Sequence, residues 1–144
     1  MIARYPAGRQ KSAVLPVLHV AQAEWGWCSV PVMDYVASLL DIKPIEVYEV
    51  ASFYTMFHLQ KTGRHVMEVC RTGPCCLLGA EDLLDYLKKK LDIGIGGTSA
   101  DGKFTLKTVE CLAACGFAPV MQIREQYYER LSPEKLDKIM EELP

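Results

Sequence analysis

Five of the six cysteines lie in two tight groups in the second half of the chain, and this spacing limits the possible folds more than any other feature. The groups are Cys70, Cys75 and Cys76, then Cys111 and Cys115, while Cys28 stands alone. No export signal follows the basic N-terminal residues, because Pro16 and His19 interrupt the apolar stretch. We therefore expect reduced thiols rather than a disulfide framework, and metal or redox chemistry becomes the leading question.

The composition is that of a folded, soluble protein. The 144 residues are 50% hydrophobic and 24% charged, with a net charge of −2. This length suits one compact unit with a small appendage. The near balance of charge provides no basic footprint for nucleic acid and no polybasic patch for anionic lipid. No apolar run approaches the roughly 20 residues that a transmembrane helix requires.

Residues 1–62 carry apolar side chains at helical spacing and predict three helices. The first is expected to follow Ser12 as its N-cap. Its apolar positions are Val14, Val17, Leu18, Ala21 and Trp25. The second fits residues 30–40 and ends at Asp41, and the third begins at Pro44, a favoured first helical position. The apolar stripe of the third comprises Val47, Val50, Ala51, Tyr54 and Phe57.

Residues 63–144 change period and predict a mixed α+β domain. The expected order is a strand, a helix, three strands and a final helix. The strands are predicted at 64–70, 104–110, 119–123 and 127–128, and the first helix at 80–91. Ser132 is expected to cap the last helix. The inward side chains of that helix are Leu136, Ile139 and Met140.

The two cysteine groups stand at equivalent places in this order. Cys70 and Cys111 each end a predicted strand, and Cys75 and Cys115 each lie in the loop that follows. If the two strands are neighbours in the sheet, both loops leave the same edge and the four sulfurs converge. Four thiolates on two loops can hold a [2Fe–2S] cluster, with two thiolates per iron.

Glycine and proline in these loops suit such a site. Gly73, Gly79 and Gly116 are expected to let backbone N–H groups approach sulfur closely. Pro74 and Pro119 are expected to stiffen the approach. Burial and N–H···S hydrogen bonds would then set the reduction potential.

Three other interpretations of the cysteine spacing stay open at this point. Structural zinc also uses four cysteines, although its pairs are commonly C-x2-C rather than C-x4-C and C-x3-C. A thioredoxin-like dithiol would require C-x-x-C next to a helix N-terminus, and the sequence contains no such pair. Unpaired cysteines are also often simply buried in the core. The spacing by itself favours the cluster.

Several stretches of the sequence resemble a single family. They are VCRTGPC, VECLAACGFAPVMQI, YPAGRQKSAVLPVLHVAQ, VYEVASFYTMF, DGKFTLKTVECL and YYERLSPEKLDKIMEEL. Together they resemble the NuoE-type subunits of NADH:quinone oxidoreductase, which are thioredoxin-like [2Fe–2S] ferredoxins. The resemblance extends over nearly the whole chain from Tyr5 onward.

The resemblance implies a fold and a set of site residues. It implies a three-helix unit over residues 1–62, followed by a thioredoxin-like [2Fe–2S] ferredoxin domain over residues 63–144. It places the metal ligands of one [2Fe–2S] cluster at Cys70, Cys75, Cys111 and Cys115. It implies no catalytic residue on this chain.

The resemblance also implies an electron-transfer subunit of an enzyme. The partner would be the NuoF-type flavoprotein that binds FMN and oxidises NADH, with other peripheral-arm subunits beside it. The expected location is cytoplasmic, peripheral to the inner membrane. The sequence shows no G-x-G-x-x-G or Walker A pattern, which fits NADH chemistry on another chain. The alternatives are the equivalent subunit of a soluble NAD-linked hydrogenase or formate dehydrogenase, and a colourless four-cysteine zinc scaffold.

Some positions depart from the family pattern. Gly73 stands where threonine is common, and Ala113 stands where glycine is frequent. Alanine costs little there unless the backbone needs a positive φ. Cys76 replaces a bulky apolar residue beside Cys75, and we expect it to be a passive neighbour rather than a ligand. The turn at 124–126 lacks the Asn, Asp or Gly typical of a tight hairpin.

Other residues that could carry chemistry are expected to be structural. His19, His58 and His65 are not at metal-ligand spacing from a cysteine, and Cys28 is expected to be a packed thiol. The aromatic stretch at 53–57 fits either the core or a partner interface equally well.

Overall fold

The computed structural model describes residues 2–144, and the chain divides into two compact units between Thr62 and Gly63. Each unit has its own buried apolar core. Among the described residues, no helix combines the length and the apolar character needed to cross a membrane.

The first unit is helical. It begins with two 3₁₀ turns, Ile2–Arg4 and Gln10–Ala13. Three helices follow: α1 (Val14–Trp25), α2 (Val30–Leu40) and α3 (Pro44–Phe53). At the start of α2 the Ser29 hydroxyl accepts a hydrogen bond from the Val32 N–H, and at its end Asp41 takes a left-handed conformation with φ 52°. The prediction of three N-terminal helices is confirmed.

Two details of α1 differ from the prediction. Ser12 is not the N-cap, because it lies within the second 3₁₀ turn, and Ala13 occupies the cap position without a side-chain hydrogen bond. Trp25 lies in the last turn before Gly26 ends the helix, and it is half exposed rather than part of the core. Its ring meets Tyr35 edge-on, with 5.9 Å between the ring centroids.

The aromatic stretch at 53–57 is divided between core and surface. Helix α3 ends at Phe53, so the prediction that Tyr54 and Phe57 belong to its apolar stripe is wrong. Phe57 is buried, whereas Phe53, at 77% exposure, points to solvent. Gln22 of α1 holds the backbone on both sides of Phe57. Its side-chain nitrogen donates to the Met56 carbonyl (2.9 Å), and its side-chain oxygen accepts from the His58 N–H (2.6 Å). The buried residues of this unit are Ala13, Val14, Val17, Leu18, Ala21, Cys28, Met33, Val36, Ala37, Leu40, Val47, Ala51 and Phe57.

The second unit contains a four-stranded mixed sheet in the order β2-β1-β3-β4. Its strands are β1 (His65–Cys70), β2 (Phe104–Val109), β3 (Met121–Ile123) and β4 (Gln126–Tyr128). Strand β1 runs parallel to β2 and antiparallel to β3, and β3 runs antiparallel to β4. Strand β1 is therefore central, and Cys70 stands at its carboxyl end.

Three helices accompany this sheet: α4 (Gly73–Leu77), α5 (Ala80–Leu91) and α6 (Pro133–Glu142). A 3₁₀ turn, Cys115–Phe117, lies between β2 and β3. Helix α5 has the predicted bounds, and the Ser132 hydroxyl accepts from the Lys135 N–H at the start of α6. Helix α4 was missed, because it has only five residues and begins with Gly-Pro, which is a loop pattern.

Helices α5 and α6 share one apolar core with the sheet. The strands contribute Met67, Val69, Phe104, Leu106, Met121 and Ile123 to it. The helices contribute Leu83, Leu84, Leu87, Leu136, Ile139 and Met140. Alternate strand residues reach this core because successive side chains of a strand point to opposite faces. The predicted fold class, helices followed by a mixed α+β domain, is confirmed.

The predicted hairpin between β3 and β4 forms although its turn lacks Asn, Asp and Gly. Ile123 pairs with Gln126, so that Arg124 and Glu125 make a two-residue loop. Arg124 takes a positive φ of 56° there, which is unusual for a side chain other than Gly or Asn. The sequence pattern did not predict this conformation.

Candidate metal centre

Both cysteine loops leave the same end of the sheet. Strands β1 and β2 are parallel neighbours, and Cys70, the last residue of β1, is paired with Val109, the last residue of β2. Cys111 follows two residues after Val109. The two strands therefore have the arrangement that convergence of the cysteines requires.

The Cys70 sulfur is buried among hydrogen-bond partners. The Thr72 hydroxyl lies 3.4 Å from Sγ, and the Glu110 carbonyl, 3.7 Å away, accepts from the thiol. Burial raises the pKa of Cys70, but hydrogen bonds from Thr72 and from the Leu112 N–H outweigh it, so that the pKa is lowered. Because Glu110 and Leu112 flank Cys111, they hold the backbone of Cys111 next to the Cys70 sulfur.

Cys75 lies in α4 with a buried side chain, and its thiol donates to the Cys70 sulfur. Burial, this hydrogen bond and the neighbouring Cys115 raise the pKa of Cys75 to about 11, although the Val120 N–H acts in the opposite direction. Cys115 is exposed at the start of its 3₁₀ turn. The structure thus places both Cys70 and Cys115 close enough to influence Cys75.

Cys111 is exposed, and its sulfur accepts a hydrogen bond from the Ala113 N–H at 3.3 Å. Within residues 2–144, no three His, Cys, Asp or Glu side chains are arranged to hold a single metal ion. A [2Fe–2S] cluster divides its four thiolates between two irons, so it requires pairs of sulfurs rather than a closed set around one ion. Thiols on two adjacent loops, with N–H donors at Cys70, Cys75 and Cys111, fit this requirement.

Apolar side chains surround the buried pair of thiols. Ala80, Leu112 and Val120 pack with Cys70 and Cys75 in a small core of their own. Partly buried Val109, Ala114 and Ala118 extend it. An apolar shell of this kind limits water access and, together with N–H···S hydrogen bonds, controls the potential of a redox centre.

Cys76 faces other partners than the four cysteines just described. Its thiol donates to the Arg71 carbonyl at 3.1 Å and lies 3.9 Å from a Glu81 carboxylate oxygen. Arg71 and Glu81 in turn form an exposed ion pair at 3.6 Å. This environment agrees with the interpretation of Cys76 as a neighbour of the site rather than a ligand.

The glycines of the loops differ in what they require. A Cβ added at Gly73 or Gly116 would meet no atom within 4 Å, so the chain itself does not demand glycine at these positions. Gly79 has φ 94°, where L side chains are strained, and it is the residue that precedes α5. Of the three predicted glycines, Gly79 is the one that the backbone requires.

His19, His65 and the isolated Cys28 lie outside the two cysteine loops. His65 begins β1, at the end opposite Cys70, and its Nε2 lies 2.9 Å from the Pro144 carbonyl. His19 packs on Phe57 in the helical unit, with 5.0 Å between the ring centroids. Cys28 is fully buried in the same unit, as expected, and its burial raises its pKa to about 11.

Sequence reasoning missed two groups that hold the Cys70 sulfur. They are the Thr72 hydroxyl and the backbone N–H of Leu112, and no prediction was made for either. A hydroxyl residue two positions after a candidate ligand was the available signal for Thr72, because its side chain can reach back to the sulfur. The Leu112 donor depends on the pairing of β1 with β2 and could not be predicted locally.

Comparison with known proteins agrees with the sequence resemblance. The sequence profile of the thioredoxin-like [2Fe–2S] ferredoxin family matches residues 1–144. The chain is 45% identical over 143 residues to the E subunit of the NADH-quinone oxidoreductase of Rickettsia felis, covering 99% of this chain and 86% of that protein. It is 45% identical over 139 residues to the E 2 subunit of the same enzyme of Rhizobium meliloti, covering 96% and 82%.

One solved structure supports the fold. A chain of an NAD⁺-reducing [NiFe]-hydrogenase in the H2-reduced state superposes with a TM-score of 0.80 at 21% identity. The match covers 91% of this chain and 22% of that chain. At this identity the likeness concerns the fold alone.

Ala113 is the strained residue of the second cysteine loop. Its φ is 55°, in the left-handed region that favours glycine. Its N–H is the donor to Cys111, so the strained conformation aims a hydrogen bond at a candidate ligand. The backbone at position 113 therefore needs a positive φ, which makes alanine costly there.

We predict that Ala113→Gly stabilises the protein. Relief of a left-handed alanine contributes about 1–2 kcal/mol, and the entropy that glycine adds to the unfolded chain costs roughly 0.4–1 kcal/mol. The midpoints of these ranges leave a net gain of about 0.8 kcal/mol. Ala114→Gly is the matched control, because Ala114 has φ −116° and no such strain. Chemical denaturation should show higher stability for the first variant and lower stability for the second; equal losses in both would refute the strain at Ala113.

Proposed function

The chain belongs to the thioredoxin-like [2Fe–2S] ferredoxin family, and we propose that it is the electron-transfer subunit of an NADH:quinone oxidoreductase. Its cofactor would be one [2Fe–2S] cluster held by Cys70, Cys75, Cys111 and Cys115. The names of the relatives, which are E subunits of NADH-quinone oxidoreductase, support the assignment to that enzyme.

One observation carries the assignment of the ligands. Cys70 ends a strand whose parallel neighbour leads directly into the loop of Cys111, and the residues on both sides of Cys111 hydrogen-bond to the Cys70 sulfur. Cys115 lies close enough to Cys75 to contribute to the raised pKa of Cys75. This arrangement supports one shared binding site for the two loops.

The chain's own residues would bind, orient and shield the cluster. The four thiolates would supply the ligands, and the N–H groups of Leu112, Ala113 and Val120 would donate to their sulfurs. The small apolar core around Cys70 and Cys75 would exclude water on the protein side. When bound, a [2Fe–2S] cluster supplies a reversible one-electron couple, and these groups would tune its potential.

The partner in this proposal is a flavoprotein subunit that binds FMN and oxidises NADH, in a complex peripheral to the cytoplasmic face of the inner membrane. Exposed apolar side chains beside the cysteines support a protein partner at this edge. Leu77, in the same helix as Cys75, is 87% exposed, and Leu78 and Phe117 are also exposed. Large apolar residues around a functional group are typical of an interface that a second chain covers.

The ligand set predicts the outcome of cysteine substitution. Replacing Cys70, Cys75, Cys111 or Cys115 by serine should each lower iron and acid-labile sulfide per chain to less than half, because a thiolate ligand is lost. Cys28→Ser and Cys76→Ser are the controls and should retain both. Cluster loss in Cys28→Ser without unfolding would show that the ligand set is wrong, and loss in Cys76→Ser would make Cys76 a ligand.

The partner surface predicts the effect of a charge at Leu77. Leu77→Asp should reduce the flavoprotein that co-purifies with the tagged chain by about tenfold or more, because burying a carboxylate in an apolar interface costs more than about 1.4 kcal/mol. Iron content should be unchanged. Ile95→Asp is the control, since Ile95 is also exposed but lies outside the cysteine loops. Equal co-purification of both variants would exclude this edge as the interface.

A further inference from the structure

Arg130 connects the segment before α6 to the loop of Cys115. Its backbone N–H donates to the Phe117 carbonyl at 2.7 Å, and its guanidinium lies over the Phe117 ring at 5.2 Å from the centroid. The next residue, Leu131, donates to the Pro119 carbonyl at 3.1 Å and is buried in the core of the sheet unit. Two consecutive residues therefore anchor the loop that follows Cys115.

Phe117 belongs to the same short turn as Cys115. The Phe117 N–H donates to the Ala114 carbonyl at 2.9 Å, which closes the turn around the cysteine. The Phe117 ring is 44% exposed, and the Arg130 guanidinium lies over it. The contact with the Arg130 guanidinium thus limits where the turn, and with it the Cys115 backbone, can lie.

Arg130 makes these contacts from a strained conformation. Its φ is 47°, in the left-handed region, where arginine has no intrinsic preference. Asn or Gly would satisfy the backbone better. Strained residues persist only where the surrounding structure fixes them, and the hydrogen bonds of Arg130 and Leu131 to the loop after Cys115 do so here.

We propose that Arg130 is a positioning residue of the Cys115 loop and that its positive charge favours the reduced state of the site. This inference rests on the proposed function. A [2Fe–2S] site gains one negative charge when it accepts an electron, and a guanidinium held against the loop of one ligand stabilises that charge. The Phe117 ring fixes the cation at this place through a cation–π contact.

The test compares variants of the full chain, purified anaerobically with its cluster. Arg130→Asn removes the charge and the ring contact but keeps a residue that tolerates positive φ. Arg130→Lys keeps the charge. Arg124→Asn is the matched control, because Arg124 is also an exposed arginine with positive φ (56°). The Arg124 guanidinium donates to the carbonyl of Arg64, just before β1. Cys70 ends β1, so about 17 Å of strand separates that position from the cysteine.

A redox titration followed by EPR should give a more negative midpoint potential for Arg130→Asn. At a fixed potential the ratio of reduced to oxidised protein should fall by a factor of about 2 to 10. Arg130→Lys should lie closer to the unsubstituted protein, and Arg124→Asn should match it. Thermal unfolding of Arg130→Asn should be no easier, since the backbone strain is relieved, and a purely structural role would not give this combination.

Other outcomes would overturn the proposal. If Arg130→Asn has an unchanged potential, or if Arg124→Asn shifts the potential equally, the charge of Arg130 has no specific effect on the site. If the unsubstituted protein binds no iron and no acid-labile sulfide, the proposed function fails together with this inference. The iron and sulfide content of the unsubstituted protein therefore separates the two failures.

Discussion

The parallel pairing of β1 with β2 is the interaction on which the candidate site depends. Parallel strands end at the same edge of a sheet, so pairing Cys70 with Val109 brings both cysteine loops to one place. An antiparallel pairing would have sent the loop of Cys111 to the other end of β1, about 17 Å away. The parallel arrangement also requires a long crossover, and α5 provides it and packs on the sheet.

Local strain and hydrogen bonding complete what the pairing begins. Groups of both cysteine loops form hydrogen bonds with the Cys70 sulfur. Two segments that are far apart in the sequence therefore surround the same atom. Ala113 and Arg130, both with positive φ, lie in the second loop and in the segment bonded to it. Strained residues persist only where the surrounding structure holds them, and functional sites often contain them. The sheet supplies the placement of the cysteines, and these contacts refine it.

Much of the fold followed from periodicity and capping, and each exception has a physical cause. Residues 30–40 and 80–91 were predicted as helices with the observed bounds, and Asp41 was correctly predicted to end the first of these two. Helix α4 was not predicted, because its five residues are too few to show a helical repeat of apolar side chains. Ser12 and Trp25 were misplaced because tertiary packing, not propensity, sets how a helix begins and which turn is buried. The cysteine spacing indicated the candidate site, but the Leu112 donor depends on the pairing of two strands that are far apart in the sequence.

Iron and acid-labile sulfide in the anaerobically purified protein test the central claim most directly, together with EPR after reduction by dithionite. Convergence of Cys70, Cys75, Cys111 and Cys115 on one cluster predicts two irons and two sulfides per chain and a rhombic S = 1/2 signal in the reduced state. Stoichiometric zinc in a colourless sample without sulfide, with anaerobic reconstitution also failing, would contradict it. That result would make the two loops a zinc scaffold with no role in electron transfer.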